Sequence, residues 1–328
     1  MADRRTFIKI LSGAAAGTLL PLPVFGRMDE GVSDRWGELL PRREFGATGE
    51  KVTMMGVGGF HIGKQSDYEA QKTIETAIEG GIRYFDTAAD YQHGGSEQKL
   101  GRLLVPKYRD EIFLHTKTRA VTAEQAQQHL EDSLMRLNTD HLDLWLMHSV
   151  NSEEDADNRI DNGVLDVFQK AKAEGKTRHI GFSGHVTPVA HLKMLQIAPD
   201  LEACMLPVNL VDPSYNSFIK NVIPELQDAN MGIIAMKTLA GGGFFGGGFE
   251  GNAHLNKRVI DYITVKEAIQ FSLSMPVSVL VTGPDNSTMM KEKIGYAQSF
   301  HGMDEATAKT LIDKVAKFAN TKVEYYKM

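Results

Sequence analysis

The sequence predicts an α/β fold closed into a (β/α)8 barrel, with an N-terminal β-hairpin and an extra C-terminal helix. Three observations carry this. Apolar runs of strand length alternate with amphipathic stretches of helix length, the pattern of a parallel sheet. Eight such runs can be placed between residues 52 and 282, enough for the sheet to close as a TIM barrel. Polar residues also end successive runs at a constant interval. Asp86 ends IRYFD, Lys117 ends EIFLHTK and His148 ends LDLWLMH, with 31 residues from each to the next. A strand, a helix and two short loops take roughly that length. In a barrel the strand ends converge on one face, so equal spacing turns distant residues into neighbours.

The elements follow in order. Residues 1–26 form a leader: Arg4-Arg5, then Phe7, then the Gly/Ala-tempered stretch ILSGAAAGTLLPLPVFG. This resembles a twin-arginine export signal. It is short for a spanning helix, and Pro21 and Pro23 would break one. The resemblance implies the twin-arginine export machinery as a partner and a periplasmic or exported location. No clean A-x-A site is present, so an uncleaved leader would tether the protein to the membrane. Residues 27–42 read as a polar connector, and the barrel domain as 43–328. A hairpin turns at Ala47-Thr48-Gly49 and runs into a first strand around Val52–Gly58. A helix follows, with Ser66 as N-cap, Glu69 completing a capping box and Gly80-Gly81 as the stop.

Further strands are expected near 82–86, 111–117, 141–147, 177–182, 203–208, 231–237 and 277–282. Between them lie helical stretches such as TAEQAQQHLEDSLMRL and GVLDVFQKAKAEG. DEATAKTLIDKVAKFA is left over and should pack outside the barrel. Two segments break the rhythm: acidic NSEEDADNR at 151–159, expected to be solvated, and glycine-rich AGGGFFGGGFEGN at 240–252.

Composition narrows the function. The 328 residues are 42% hydrophobic and 24% charged, as in a globular enzyme. A net charge of −6 leaves no footprint for nucleic acid. The single cysteine, Cys204, excludes an intramolecular disulfide and a cysteine cage, and its run EACMLPV reads as core. The histidines show no metal-binding spacing, so no metal is expected.

The strand-end residues suit carbonyl chemistry. A hydride delivered to a carbonyl leaves an alkoxide that needs a proton. Tyr91 can supply it, and a nearby Lys117 cation would favour the phenolate and lower its pKa. Asp86 would hold Lys117 charged. A neutral His148 would donate to the substrate oxygen and orient it.

The segment GIRYFDTAADYQHGGSEQKLGRLL resembles the signature of the aldo-keto reductase family: D-T-A, a tyrosine five after the aspartate, then E-x-x-L-G-R. The family's third-strand lysine matches Lys117 and its fourth-strand histidine matches His148. The resemblance covers residues 43–300. It implies a (β/α)8 barrel, reversible carbonyl reduction and a nicotinamide cofactor, NADP by family habit with NAD open. By the same likeness, cofactor contacts fall on Ser183 and Gly184 in GFSGH, Asn209, Met236, Lys237, Leu239, Gly283, Glu292 and Lys293. Departures accompany it. Gly184 stands where the family has asparagine, Met236 where an aromatic stacks on the nicotinamide, and Met289 where a basic residue reads the 2′-phosphate.

The first reading is therefore an NAD(P)H-dependent oxidoreductase acting on a small carbonyl or sugar-like substrate. The alternative is a non-catalytic nicotinamide-nucleotide-binding regulatory or redox-sensing protein on the same fold. An aldolase using Lys117 as Schiff-base amine is disfavoured, because an adjacent carboxylate keeps the amine protonated. His61, Trp145 and the 240–252 stretch are expected around the pocket. No membrane span is expected in the mature domain.

Overall fold

In the computed structural model, residues 28–247 and 257–327 are described. The 1–26 leader and the end of the glycine-rich stretch lie outside them. Eight parallel strands close into a barrel in sequence order. They are β1 (Met55–Gly58), β2 (Tyr84–Asp86), β3 (Phe113–Thr118), β4 (Leu142–Met147), β5 (Thr177–Ser183), β6 (Ala203–Pro207), β7 (Gly232–Met236) and β8 (Val279–Thr282). Closure is by β8 against β1, with Leu280 opposite Met55.

Alternation along the strands splits the core in two. Tyr84, Phe113, Leu144, Leu146, Met205, Ile234 and Val279 fill the barrel interior. The opposite faces carry the larger cluster between sheet and helices, including Cys204 and Trp145. Trp145 stacks on Phe168 at 3.8 Å. It therefore faces the helix layer, not the pocket where the sequence put it.

The N-terminal hairpin, Arg42–Glu44 paired antiparallel with Lys51–Thr53, closes the barrel floor. Its Phe45 lies 5.3 Å from the Phe113 ring, and any side chain at Gly232 would strike it. The 27–42 segment contributes its own small ladder, Ser33–Asp34 with Gly37–Glu38. There Asp34 takes two hydrogen bonds from buried Arg83.

Ser66 caps the helix Asp67–Glu79 by accepting from the Glu69 amide. The reciprocal half of the expected box is not made. Glu69 instead accepts from the Ser287 amide at 2.6 Å, where it faces the orphan donors of another helix start. The acidic 151–159 segment is a helix, Glu153–Asp161, because Ser152 caps it and Ala156 and Arg159 give it a buried side. The leftover helix, Glu305–Val315, packs through Ala308, Leu311, Ile312 and Val315. No helix among the described residues is long and apolar enough to cross a membrane.

Candidate active site

Strand register places the catalytic candidates. Gly58, Asp86 and His115 stand side by side on β1, β2 and β3. Lys117, two residues on from His115, points the same way one level higher. The His148 amide donates to Thr118 O at 2.7 Å, which sets it just past β4. Tyr91 lies in the loop after β2, where it opens a 3-10 turn, Tyr91–Gly94. That loop turns through Gln92 and His93, both in the left-handed region at φ 48° and 54°, a costly backbone for side-chain-bearing residues.

The four residues meet. Lys117 Nζ donates to Asp86 Oδ1, to Thr87 O at 2.6 Å and to the Tyr91 hydroxyl at 3.2 Å. The Tyr91 and His148 rings sit edge to face at 5.7 Å. Phe60 also packs edge to face with Tyr91 at 5.3 Å.

Burial decides the electrostatics. It opposes the Asp86 charge, but Lys117 and His115 override it and hold the carboxyl at about 2. Lys117 is raised: burial opposes its charge, and Asp86 and Tyr91 more than compensate. Tyr91 moves opposite to the sequence expectation. Burial pushes the phenol up to about 12, and the Lys117 ammonium only partly offsets it. His148 falls to about 4, mainly through burial, so its ring is neutral.

Two partners were missed by the sequence reading. His115, fully buried, donates from Nε2 to Asp86 and bonds the Tyr84 hydroxyl through Nδ1 at 2.7 Å. The two-residue step from His115 to Lys117 is the signal that puts both side chains inside. Asp90 bonds His148 Nδ1 at 2.9 Å and Arg119 Nε at 2.7 Å. Its position beside Tyr91 was the available sign.

The expected cofactor contacts lie on the same rim, in varied states. Ser183 Oγ donates to Met147 O and accepts from the Ser149 amide. Gly184 is pressed between Val150 and His191. Met236 ends β7 half-buried, Leu239 is half-buried, and Glu292 is exposed. A side chain at Gly283 would strike the His61 ring, which reaches over to Asp285 at 2.7 Å. The Asn209 amide is fully used: it donates to Glu324 and the Tyr326 hydroxyl and accepts from the Val211 and Asp212 amides.

Those partners belong to a C-terminal strap the sequence did not suggest. Glu324, Tyr326 and Lys327 are all buried. Lys327 Nζ meets Asp212 at 2.6 Å and Tyr215 O at 2.9 Å. Tyr326 lies beside His185 and under Lys237 Nζ.

The rim also holds unmet polar demand. Ser149 Oγ, His185 Nδ1 and Thr238 Oγ1 are buried without hydrogen-bond partners among the described residues, each within two residues of the end of β4, β5 or β7. Lys237 and Lys293 form no ion pair among the described residues, and burial depresses both to about 8, with Lys117 adding to the effect at Lys237. Among the described residues Lys293 donates to Thr282 Oγ1 and Gly283 O. Lys293 is buried and Lys237 half-buried, and ammonium groups so shielded from water without counter-charge call for an anion. A nicotinamide dinucleotide, with phosphates and a polar carboxamide, fits this donor set.

A model of the aldo/keto reductase family matches residues 54–275. The chain belongs to that family. L-galactose dehydrogenase of Arabidopsis thaliana is 29% identical over 219 residues, covering 61% of this chain and 66% of that protein. Methylglyoxal reductase of Escherichia coli is 29% identical over 210 residues, covering 62% and 70%. Among solved structures, the holo form of an aldo-keto reductase from Bacillus halodurans has a TM-score of 0.70 at 23% identity, covering 85% of this chain and 97% of that one. Glycerol dehydrogenase from Gluconobacter oxydans has 0.65 at 19%, covering 85% and 96%. At these identities the two structures share the fold, and the family match supplies the kinship.

Proposed function

We propose that this aldo/keto reductase is an NAD(P)H-dependent oxidoreductase that interconverts an aldehyde or ketone and its alcohol, with Tyr91 as general acid and base. The observation that carries this is the contact of Tyr91, Lys117 and Asp86 at the ends of two adjacent strands. Bound NAD(P)H supplies the hydride. Lys237 and Lys293 would meet its phosphate charge, and Ser149, His185 and Thr238 offer polar atoms to its remaining groups. Tyr91, pushed up to about 12, stays protonated at neutral pH. It remains far more acidic than the product alcohol, whose pKa is near that of water at roughly 16, so proton donation to the alkoxide is downhill. Lys117 steadies the phenolate left behind, and Asp86 keeps that lysine charged.

The substrate is proposed to be a small oxygenated molecule, carbonyl or sugar-like, in keeping with the names of the relatives. NADP is the proposed cofactor and NAD the alternative. Met289 offers the 2′-phosphate nothing, which leaves the nearby lysines to select it. The twin-arginine leader is proposed to carry the folded protein to the periplasm. Fractionation of cells expressing the chain with Arg4→Lys and Arg5→Lys would then find it retained in the cytoplasm.

A panel of small aldehydes, ketones, alcohols and sugars with both cofactors tests the reading. Reduction with NADPH deuterated at C4 should place one deuterium on the product carbinol carbon. A cofactor that binds while no substrate turns over would favour the non-catalytic sensor instead.

A further inference from the structure

A buried hydrogen-bonded chain runs from the Tyr91, Lys117 and Asp86 contact into the barrel, through His115 to Tyr84. Both of the inner side chains are fully buried. Asp86 is ionised and only accepts, so His115 Nε2 carries the proton of their bond, and Nδ1 takes the Tyr84 O–H at 2.7 Å. Burial holds the His115 ring below its ordinary pKa, so at neutral pH it meets Asp86 with an N–H dipole and not a charge. The surroundings are fitted to the pair. Tyr84 stacks on Phe113 at 5.0 Å and stands edge to face with His115 at 5.2 Å. Gly56, its partner in register on β1, makes room for it, since a side chain there would strike the Tyr84 ring. The other charged or titratable groups nearby are Asp143 on the Tyr84 side and Asp90, His148 and Lys237 on the Tyr91 side. None of these four is bonded to His115 or to the Asp86 carboxylate among the described residues.

Stability does not call for this chain. Apolar side chains of the same shape at both positions would leave no polar atom of the pair unmatched, and such an exchange is close to neutral. What the chain changes is Asp86. His115 and Lys117 donate to the same carboxylate oxygen, Oδ1. Lys117 spends its three hydrogens on Asp86, Thr87 O and the Tyr91 oxygen. A carboxylate served by Lys117 alone would draw that ammonium toward itself and away from the phenol. We propose that His115 is a positioning residue whose Nε2–H shares the Asp86 carboxylate with Lys117, leaving more of the ammonium's field for the Tyr91 oxygen as the phenol gives up its proton. This rests on the hydride-transfer reading above and adds to it a residue, set below the reacting groups, that tunes them. Tyr84 packs against Phe113 and Phe45 and is sealed from water, so the chain is a dead end for protons and acts through its field. Without the N–H dipole, Asp86 repels a phenolate more strongly and Tyr91 ionises at higher pH.

The test pairs Tyr84→Phe with His115→Leu, which removes the chain and strands neither partner, and sets it beside His115→Gln. A glutamine keeps one donor for Asp86 and one acceptor for Tyr84. Carbon-13 NMR of the tyrosine Cζ atoms in the full chain with NADP bound follows Tyr91 ionisation without reference to turnover, the signal being assigned by its loss in Tyr91→Phe. The double variant should ionise about one pH unit higher than wild type, and His115→Gln should return most of the way. Urea unfolding should find the double variant close to wild type in stability. Its kcat for alcohol oxidation at fixed pH should fall by about tenfold, the kinetic equivalent of that unit, with cofactor affinity unchanged and the glutamine variant recovering the rate. A Tyr91 midpoint that does not move in the double variant overturns the proposal, as does a glutamine variant that titrates like the double variant. Should the double variant fail to fold, nitrogen-15 NMR of wild type decides: His115 with Nδ1 protonated and Nε2 bare overturns the proposal, and Nε2–H supports it. Absence of turnover with every alcohol and carbonyl would sink the hydride-transfer reading while leaving the carbon-13 result standing.

Discussion

Lys117 Nζ bonds Asp86 on one side and lies 3.2 Å from the Tyr91 hydroxyl on the other, so one ammonium joins a buried carboxylate to a buried phenol. Lys117→Met would leave the buried Asp86 carboxylate without a cation, since burial holds the neighbouring His115 ring below its ordinary pKa. Breaking a buried ion pair from one side costs about 3–5 kcal/mol, to be read by urea unfolding at neutral pH. The double variant Asp86→Leu with Lys117→Met should recover much of that stability and none of the activity, which separates the structural from the chemical role of the pair.

Acid should destabilise this protein through its buried neutral imidazoles. Burial holds His148 and His191 at about 4 and His185 at about 3, below the ordinary 6.5. The unfolded chain therefore binds more protons below that ordinary value. Their contribution is complete above pH 6.5 and is lost as pH falls through the folded values. His191, wedged between Phe182 and Phe218, accounts for about 2–3 kcal/mol of the loss between pH 7 and 4.5. The urea midpoint should fall between pH 7 and pH 4.5 for wild type and by less for His191→Leu, in which His148 and His185 still titrate. An equal fall in both would contradict the assignment.

The C-terminal strap is fastened by Lys327 against Asp212, both fully buried. Lys327→Met should destabilise by about 3 kcal/mol or more. It should also raise proteolysis after residue 320, detected by mass spectrometry of timed digests. Cleavage unchanged from wild type would mean the strap is held mainly by Val323 and Tyr326 packing.

The barrel was legible because strand and helix periods differ and because Asp86, Lys117 and His148 recur at one interval. That Asp86 and Lys117 would meet was legible for the same reason. What escaped depends on direction and on distance along the chain. Trp145 and Leu146 are neighbours in sequence and face opposite layers, so proximity to a strand end did not place Trp145 at the pocket. Tyr91 was expected to be acidified by Lys117, but the cost of charging a phenol without water exceeds that attraction. Asp212 and Lys327 are 115 residues apart, and no periodic pattern links them. Glu69 satisfied its capping spacing yet served a helix start more than two hundred residues away.

The central claim is that Tyr91 moves the proton. Tyr91→Phe keeps the ring between Phe60 and His148 and removes only the hydroxyl. With NADPH and the best aldehyde of the panel, kcat should fall by roughly 10²–10⁴-fold, while cofactor affinity, followed by quenching of protein fluorescence, stays as in wild type. A variant that turns over at a rate close to that of the wild type would contradict the account.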